Sequence, residues 1–549
     1  MTLHPLAGQL APHQSLVNIP RLISDYYLLK PQVNTYPEHK VSFGTSGHRG
    51  SSFSVTFNED HLLAIIQAIC DHRESAGISG PVILGMDTHA LSEPAFCSAV
   101  EVFIANGVKL IVQKDRGYTP TPVISHAILQ HNLAYPDTLA DGLVLTPSHN
   151  PPEDGGIKYN GVNGGPADIK VTGQIQNRAN ELLGNDLAGV KQVPFSEAIV
   201  SPLIISKNLA LDYVDDLGDV IDFAAISAAK IKIGIDPLGG SGTYYWSLIA
   251  EKYHLDIELV DDRIDPTFSF MTVDNDGKIR MDCSSPYSMQ RLIGCKEQFD
   301  IAIGNDPDYD RHGIVTKKGL LSSGHYLAAA IHYLFTHRKQ WPTNIKVGKT
   351  LVSSSLIDRV VEGLDREVVE MPVGFKWFVQ GLSDGTLGFI GDESAGGCFL
   401  KKDGGVWTTD KDGIIMGLLA AEILAVTGKD PEELYQQLTQ TYGTPIYRRI
   451  DVPANWEQKV ALKSLNKSSV TAKTLAGEPI LAIHSHASGN NQSIGGLKVV
   501  SQNGWFAARP SGTEPIYKIY LESFLNEAHM VELEREARLI VDGVLNNRL

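Results

Sequence analysis

The stretch Leu143-Val-Leu-Thr-Pro-Ser-His-Asn-Pro-Pro152 joins a short apolar run to a proline-rich turn. An apolar run bounded by turn residues is typical of a buried strand, and prolines beside small polar residues predict a rigid, exposed loop at its end. Loops of this kind often carry functional side chains, and this one carries the hydroxyl of Ser148. Taken alone, the stretch is better explained as an ordinary turn, so its interpretation depends on the rest of the chain.

Helices and strands alternate along most of the chain. Apolar periodicity predicts helices over 60–73 and 93–106 and a strand over 81–85, all before the stretch quoted above. Strands that alternate with helices of this length indicate βαβ units and a parallel sheet. A similar rhythm continues to about residue 440, after which the chain is richer in short strands and ends in a helix over 527–546.

A chain of 549 residues is too long for one hydrophobic core and should divide into roughly three to five domains. We place the domains, by the changes in this rhythm, at 1–202, 203–321, 322–440 and 441–549. Each predicted domain contains a group of polar residues directly after a short apolar strand, and these groups suggest the chemistry.

Composition excludes several classes of function. With 43% hydrophobic and 20% charged residues, the chain has the composition of a globular protein, and a net charge of −16 argues against a nucleic-acid partner or an anionic membrane. No segment approaches the roughly 18 apolar residues of a membrane span, and the N-terminus does not resemble a signal peptide. The five cysteines are scattered without a C-x-x-C pair, which favours free thiols and a cytoplasmic location.

The second motif is Gly304-Asn-Asp-Pro-Asp-Tyr-Asp-Arg-His312. Three carboxylates at alternate positions of a loop can converge on one hard cation, which prefers oxygen ligands. An EF-hand also begins in this way, but it needs glycine where Arg311 stands and glutamate where Lys317 stands. An acidic surface turn is the simpler alternative. We predict a metal site, with Mg²⁺ the natural ion if the chemistry involves phosphate.

The third motif has two parts, Pro372-Val-Gly-Phe-Lys-Trp377 and Gly391-Asp-Glu-Ser-Ala-Gly-Gly397, and the segment Asp410-Lys-Asp-Gly413 adds a cation. Acidic and hydroxyl side chains between glycines can approach a polyol closely, although a plain strand-to-helix turn explains this motif equally well. The fourth motif, Arg509-Pro-Ser-Gly-Thr-Glu-Pro515, combines a guanidinium with hydroxyls and predicts an anion site. Together, the four strand ends indicate phosphoryl transfer on a sugar phosphate.

These four motifs, in this order, resemble those of the α-D-phosphohexomutase superfamily. The stretches Phe43-Gly-Thr-Ser-Gly-His-Arg-Gly50 and Gly374-Phe-Lys-Trp-Phe378 extend the resemblance, which covers essentially the whole chain. The resemblance implies an α/β fold of three related domains with mixed sheets, and a fourth, α+β C-terminal domain, around a central active-site cleft. It also implies interconversion of glucose 1-phosphate and glucose 6-phosphate through glucose 1,6-bisphosphate.

The resemblance further implies roles for individual residues. Ser148 would be phosphorylated, and one phosphate oxygen would complete a Mg²⁺ site whose other ligands are Asp306, Asp308 and Asp310. Arg49 and Arg311 would lie near the phosphoserine, and His149 would assist or have a structural role. Lys158 would be the general base, with its pKa lowered toward neutrality by burial beside Mg²⁺ and arginines. The implied substrate-binding residues are Gly374, Lys376, Asp392, Glu393, Ser394, Lys411, Arg509, Ser511, Gly512 and Thr513.

Two residues depart from the family pattern. Asp392 stands where the family usually has glutamate, so its shorter arm would act through a shift or a water, or Glu393 would take part. Tyr309 stands where a small residue is commoner, and we expect it to narrow the cleft. The alternatives are the same reaction on a mannose or glucosamine phosphate, a silent sugar-phosphate-binding relative, and a metal-dependent phosphatase. We expect a monomer or homodimer.

Overall fold

The computed structural model describes residues 3–44, 47–511 and 516–546. Its first sheet has six strands in the order β1-β5-β4-β2-β3-β6, with β1 and β5 antiparallel to their neighbours and the others parallel. The strands are β1 His48–Ser51, β2 Val82–Met86, β3 Leu110–Gln113, β4 Asp141–Leu145, β5 Asp154–Asn160 and β6 Ile204–Lys207. The helices are α1 Ile19–Leu28, α2 Glu59–Ala76, α3 Ser92–Ala105, α4 Thr121–Ala134, α5 Ile169–Gly184 and α6 Phe195–Ala198.

Both faces of this sheet are covered, which explains why its central strands are apolar throughout rather than alternating. In β4, Val144 packs into one apolar cluster with α4, while Leu143 and Leu145 pack into another with α2 and α3. Successive side chains of a strand point to opposite faces, so a continuous apolar run is expected wherever both faces are buried.

The second sheet has five strands in the order β11-β10-β9-β7-β8, in which β10 is antiparallel to β9 and β11. Its strands are β7 Lys232–Asp236, β8 Asp256–Leu259, β9 Ile301–Gly304, β10 Gly313–Thr316 and β11 Gly319–Leu321. The helices of this region are α7 Leu209–Asp216, α8 Phe223–Ala229, α9 Thr243–Tyr253 and α10 Gln290–Gly294.

The third sheet has the order β13-β12-β14-β15, with the last strand antiparallel. Its strands are β12 Lys346–Thr350, β13 Val368–Met371, β14 Leu387–Gly391 and β15 Gly397–Phe399. The accompanying helices are α11 Ser323–His337, α12 Leu356–Gly363, α13 Val379–Ser383, α14 Gly413–Thr427 and α15 Pro431–Tyr442. Helix α14 is buried over Gly413–Ile423 and is apolar there except for Glu422, as expected for a helix at the centre of a large protein.

The C-terminal sheet is antiparallel throughout, with the order β16-β22-β21-β20-β19. Its strands are β16 Ile446–Pro453, β19 Ala482–His486, β20 Ser493–Val500, β21 Gly504–Pro510 and β22 Ile516–Ser523, and a separate hairpin pairs β17 Thr474–Leu475 with β18 Glu478–Pro479. Helices α16 Trp456–Lys463 and α17 Glu527–Asn546 contact the sheet. This domain has its own apolar core, whereas one continuous cluster joins the first three sheets.

The predicted fold class is confirmed, since three mixed sheets with helices precede an antiparallel sheet with helices. The domain limits 1–202, 203–321, 322–440 and 441–549 stay a proposal. Strand β6 lies just beyond the first proposed limit and pairs with β3 in the first sheet.

Candidate active site

The Ser148 loop meets the aspartate loop at the centre of the molecule. Ser148 follows β4, is fully buried, and has φ +58°, a left-handed conformation that is uncommon for residues other than glycine. Its Oγ donates a 2.7 Å hydrogen bond to Asp306 Oδ2, although 158 residues separate the two in sequence. Each loop follows the carboxyl end of a parallel strand, β4 in the first sheet and β9 in the second, and the two loops meet as the sequence predicted.

Asp306, Asp308 and Asp310 form one buried cluster, with a carboxylate oxygen of each lying within 4.8 Å of the others. Within the described ranges, Asp308 Oδ1 and Asp310 Oδ1 are buried and accept no hydrogen bond. Burial, together with Asp308 and Asp310, raises the pKa of Asp306 well above its usual value. Buried carboxylate oxygens that accept no hydrogen bond and lie at this spacing fit a hard divalent cation.

Two lysines face the aspartates. Lys158 Nζ lies 2.5 Å from Asp308 Oδ2 and 2.8 Å from Asp310 Oδ2, and Lys411 Nζ lies 2.7 Å from Asp310 Oδ2. Burial alone would lower the pKa of Lys158, but the two carboxylates outweigh it and raise the pKa. The predicted lowering supposed Mg²⁺ as well as arginines beside the lysine and stays a prediction. The nearest charges in this structure are carboxylates. Lys411, predicted to bind substrate, contacts Asp310 here.

Arg311 lies among three carboxylates. Its guanidinium is 3.7 Å from Asp310 Oδ1, 3.9 Å from Asp306 Oδ2 and 3.8 Å from Asp282 Oδ2. Burial opposes its charge, but these carboxylates raise its pKa. His149 Nδ1 lies 3.5 Å from Asp282 Oδ2, yet burial and Arg311 hold the pKa of the imidazole well below its usual value. His149 is therefore neutral at neutral pH.

Arg49 completes the set of cations around the serine loop. It lies on β1, which pairs with β5, and its Nη1 donates a 3.1 Å hydrogen bond to Asn150 Oδ1 in the same loop as Ser148. Burial and the charge of Arg311 lower the pKa of Arg49. Tyr309, expected to narrow the cleft, is instead fully buried, with a left-handed φ and its ring against Gly242.

The loop after β14 is organised by its own carboxylate. Asp392 Oδ1 accepts 2.9 Å hydrogen bonds from the backbone N–H groups of Ser394 and Gly396. Glu393 Oε2 accepts a 2.6 Å hydrogen bond from Thr350, and burial together with Asp392 raises the pKa of Glu393. One oxygen of Asp392 is thus committed to the loop backbone.

The remaining predicted substrate residues lie on either side of this loop. Gly374 has φ +125° at the start of a short turn, and burial lowers the pKa of Lys376 within it. The charge of Arg509, on β21, partly offsets the rise in the pKa of Glu393, so a residue of the C-terminal sheet lies near the loop after β14. The backbone N–H of Ser511 donates to Ile516 O at 2.9 Å. Gly512 and Thr513 lie outside the described residues.

Models of known families match every region that contributes residues to this site. Those for the phosphoglucomutase/phosphomannomutase alpha/beta/alpha domains I, II and III match residues 40–184, 211–319 and 322–442, and that for the C-terminal domain matches 460–540. A phosphoglucomutase from Komagataeibacter xylinus is 54% identical over 538 residues, which cover 98% of this chain and 97% of that protein. The chain belongs to the phosphoglucomutase/phosphomannomutase family.

The family membership predicted from the four motifs is confirmed, and more distant relatives agree with it. Phosphoglucomutase 1 of Drosophila melanogaster is 27% identical over 444 residues, covering 76% of this chain and 75% of that protein. The crystal structure of the exocytosis-sensitive phosphoprotein pp63/parafusin, a phosphoglucomutase from Paramecium, superposes with a TM-score of 0.72 over 94% of this chain and 96% of that one. At 19% identity, this likeness bears on the fold alone.

The structure also brings into the site residues that the sequence did not suggest. Thr121, at the start of α4, donates its hydroxyl to Asp308 Oδ2 at 2.5 Å and its N–H to Asp308 O at 2.9 Å. Asp87, after β2, accepts a 2.6 Å hydrogen bond from Thr146, two residues before Ser148. The sequence contained one indication that Asp87 belongs to the site, because Asp87 follows an apolar strand in the same way as Ser148. In the described part of the chain, no helix has the length and apolar character needed to cross a membrane.

Proposed function

We propose that this family member interconverts glucose 1-phosphate and glucose 6-phosphate, with Ser148 as the phosphoryl carrier. The observation that carries the proposal is the contact between Ser148 Oγ and Asp306, inside a carboxylate cluster surrounded by Lys158, Arg311 and Lys411. A hydroxyl held among cations and metal-binding carboxylates suits the transfer of a dianionic phosphoryl group, for which positioning and charge neutralisation supply most of the catalysis.

The transfer balances in two half-reactions. In the first, the Oγ–P bond of phosphorylated Ser148 breaks and a P–O bond forms to the free hydroxyl of the sugar phosphate, giving glucose 1,6-bisphosphate. The hydroxyl loses a proton and Ser148 Oγ gains one. Lys158 is the proposed carrier of that proton, since its ammonium form can donate to Ser148 Oγ and its amine form can accept from the sugar. The second half-reaction reverses these steps at the other phosphate.

Asp306, Asp308 and Asp310 are the proposed Mg²⁺ ligands, together with an oxygen of phosphorylated Ser148. Their oxygen donors support this choice, as do the Oδ1 atoms of Asp308 and Asp310, which are buried and accept no hydrogen bond. When bound, Mg²⁺ supplies charge neutralisation at the phosphoryl oxygens. Arg49 and Arg311 add positive charge beside the same loop, and we propose that neutral His149 helps to shape it.

The sugar phosphate would bind between the third and fourth domains. We propose that Glu393 and the free oxygen of Asp392 accept hydrogen bonds from sugar hydroxyls, with Ser394 alongside. The non-reacting phosphate would be held by the loop that begins at Arg509. The full proposed set is Gly374, Lys376, Asp392, Glu393, Ser394, Lys411, Arg509, Ser511, Gly512 and Thr513. We further propose a cytoplasmic enzyme that is a monomer or homodimer.

Intact-mass spectrometry tests the phosphoryl carrier directly. After incubation with glucose 1,6-bisphosphate and Mg²⁺, the wild-type chain should gain one phosphoryl group and Ser148→Ala should gain none. A wild-type chain that stays unmodified would indicate a silent sugar-phosphate-binding relative. Release of free phosphate faster than isomerisation would indicate a phosphatase instead.

Replacement of one ligand tests the metal site. Asp308→Asn should lower kcat by at least about 100-fold, because ligand geometry controls both the affinity and the activity of metal sites. Asp215→Asn, at an exposed ion pair with Lys252, is the matched control and should leave kcat unchanged. Near-normal turnover of Asp308→Asn would refute the assignment.

Steady-state kinetics test the choice of sugar. The alternative substrates are mannose 1-phosphate and glucosamine 1-phosphate, because Asp392 departs from the usual glutamate of this loop. We expect the highest kcat/KM for glucose 1-phosphate. A higher kcat/KM for either alternative would overturn the choice of sugar while leaving the reaction class intact.

A further inference from the structure

Ser148 is held in a conformation that its own side chain does not favour. A left-handed φ at a residue other than glycine costs free energy, and it persists where the surroundings over-determine it. The backbone N–H of Ser148 donates a 2.7 Å hydrogen bond to Thr146 Oγ1. That hydroxyl in turn donates a 2.6 Å hydrogen bond to Asp87 Oδ2. The backbone conformation at Ser148 is therefore linked to a carboxylate that directly follows the neighbouring strand, β2.

The same carboxylate reaches the other side of the serine through a histidine. His89 Nδ1 lies 2.8 Å from Asp87 Oδ2, and His89 Nε2 lies 3.0 Å from Asn150 O. Both ring nitrogens therefore face oxygen acceptors, an arrangement that suits a doubly protonated imidazole. Burial disfavours that charge, but Asp87 outweighs it and raises the pKa of His89. The contacts at residues 146 and 150 thus hold the loop two residues before and two residues after Ser148.

The fold fixes the position of this network. Asp87 directly follows β2 and Thr146 directly follows β4, two neighbouring parallel strands, and the Asp87 N–H donates to Leu145 O at 3.0 Å. The second oxygen of Asp87 accepts a 2.6 Å hydrogen bond from Ser92 and a 2.9 Å bond from the His89 N–H. Asp87, His89 and Thr146 are each at most 2% exposed, so this polar network is sheltered from water. Buried, fully bonded networks of this kind specify one geometry.

The network also connects the first two proposed domains, which supply Ser148 and the three aspartates. Thr88 donates a 2.7 Å hydrogen bond to Gly239 O, and the His89 ring lies 5.0 Å from that of Phe268, both partners belonging to the region that carries the aspartates. On the other side, Asn150 accepts from His89 through its backbone oxygen and from Arg49 through its side chain. The network therefore influences both the serine and one of the cations beside it.

We propose that Asp87, His89 and Thr146 form a clamp of positioning residues that aims Ser148 Oγ at the phosphoryl group, a role that rests on the proposed function of Ser148. The clamp touches no reacting atom. It acts by holding the loop in the one backbone conformation in which Oγ faces Asp306.

The test compares isosteric changes within the clamp in the full-length chain. Thr146→Val removes the hydroxyl at constant shape, and Thr146→Ser restores it. The readouts are the single-turnover rate of Ser148 phosphorylation by glucose 1,6-bisphosphate, kcat and KM for glucose 1-phosphate, and Tm. Thr146→Val should lower the phosphorylation rate and kcat by about 30-fold with little change in KM, because small misplacements of a reacting group are costly in rate. Thr146→Ser should recover most of that rate.

A second pair of variants separates positioning from general destabilisation. His89→Gln breaks the clamp, and His126→Gln breaks another histidine–aspartate contact, in which the buried His126 ring lies 3.0 Å from Asp216. Both should lower Tm, but His89→Gln alone should lower the phosphorylation rate. Equal loss of rate in both variants, or a wild-type rate in Thr146→Val, would overturn the clamp. An unphosphorylated wild-type chain would instead refute the proposed function.

Discussion

Lys158 Nζ and Asp308 Oδ2 lie 2.5 Å apart, so an ammonium group occupies one side of the carboxylate cluster proposed to bind Mg²⁺. The lysine is carried by β5, the strand that pairs with β4 and leads away from the Ser148 loop. Lys158 also contacts Asp310, and both contacts use oxygens that a metal could share. Lysine and metal are therefore competitors for the same charge.

Removing the ammonium should strengthen metal binding. In Lys158→Met, the three aspartates lose a neutralising charge, so they repel one another more strongly in the metal-free protein. Mg²⁺ binding then relieves more repulsion and becomes more favourable. We expect a lower Kd for Mg²⁺ by isothermal titration calorimetry, together with a much lower kcat. Lys252→Met, at the exposed pair with Asp215, serves as the control and should leave both values unchanged. An unchanged Kd in Lys158→Met would contradict the competition.

The Thr121 hydroxyl should affect metal binding and activity by orienting Asp308. Thr121→Val loses the 2.5 Å hydrogen bond to Asp308 Oδ2 but keeps the shape of the side chain, whereas Thr121→Ser keeps the bond. Because groups that orient a metal ligand typically contribute about 10- to 100-fold in affinity or activity, we expect a loss in this range for Thr121→Val. Mg²⁺ titrations of activity would show it as a raised half-saturating concentration. Thr121→Ser should stay close to the wild type, and equal behaviour of the two variants would argue against the orienting role.

Much of the fold could be predicted because it is encoded locally. The run at residues 143–145 is apolar because both faces of its strand are buried. The Ser148 loop and the aspartate loop each follow the carboxyl end of a parallel strand, the usual ligand-binding position, although β4 and β9 belong to different sheets. Thr121 could not be predicted in the same way. Its partner, Asp308, is 187 residues away, and a threonine at the start of a helix has an ordinary local explanation.

The charges that surround Lys158 could not be predicted from the sequence for a similar reason. The sequence placed Lys158 near the serine, but the sign of its pKa shift depends on which charges lie nearest to Nζ in three dimensions. Asp392 shows a milder form of the same limit. Its shorter arm was visible in the sequence, whereas its use of one oxygen to hold Ser394 and Gly396 required the folded loop.

Buried neutral histidines should make the protein acid-sensitive. Burial lowers the pKa of His48 to about 4, although contacts with the Ser42 and Thr56 carbonyls oppose the shift. Between that value and the unfolded pKa near 6.5, the unfolded chain binds more protons, so the free energy of unfolding falls as the pH falls. His48 alone accounts for about 2 kcal/mol of loss at about pH 5.

Urea unfolding at two pH values would measure this contribution. His48→Gln should lose less stability than the wild type between about pH 7.5 and about pH 5, whatever its absolute stability, because it has no imidazole to protonate. His13→Gln replaces an exposed histidine and should retain the wild-type dependence. A dependence in His48→Gln as steep as that of the wild type would show that other groups control the acid response.

A buried ion pair lies in the contact between the third and fourth domains. Lys498, on β20, has a side chain 5% exposed and donates 2.7 Å hydrogen bonds to Glu370 Oε2 and to Leu351 O. Glu370→Gln leaves the ammonium buried beside a neutral amide, which should cost about 3 kcal/mol in the free energy of unfolding. Glu367→Gln breaks the exposed pair with Lys346 in the same domain and should cost at most about 1 kcal/mol.

The double variant Glu370→Gln, Lys498→Met decides how that loss arises. If the loss in Glu370→Gln comes from an uncompensated buried charge, removing the ammonium as well should recover part of it, so the two single losses should exceed the double loss. Urea unfolding of all four chains gives the coupling energy. Additive losses would mean that the pair contributes no mutual attraction, and the apolar contacts of Trp505 and Tyr520 with Leu351 and Val352 would then hold the two domains together.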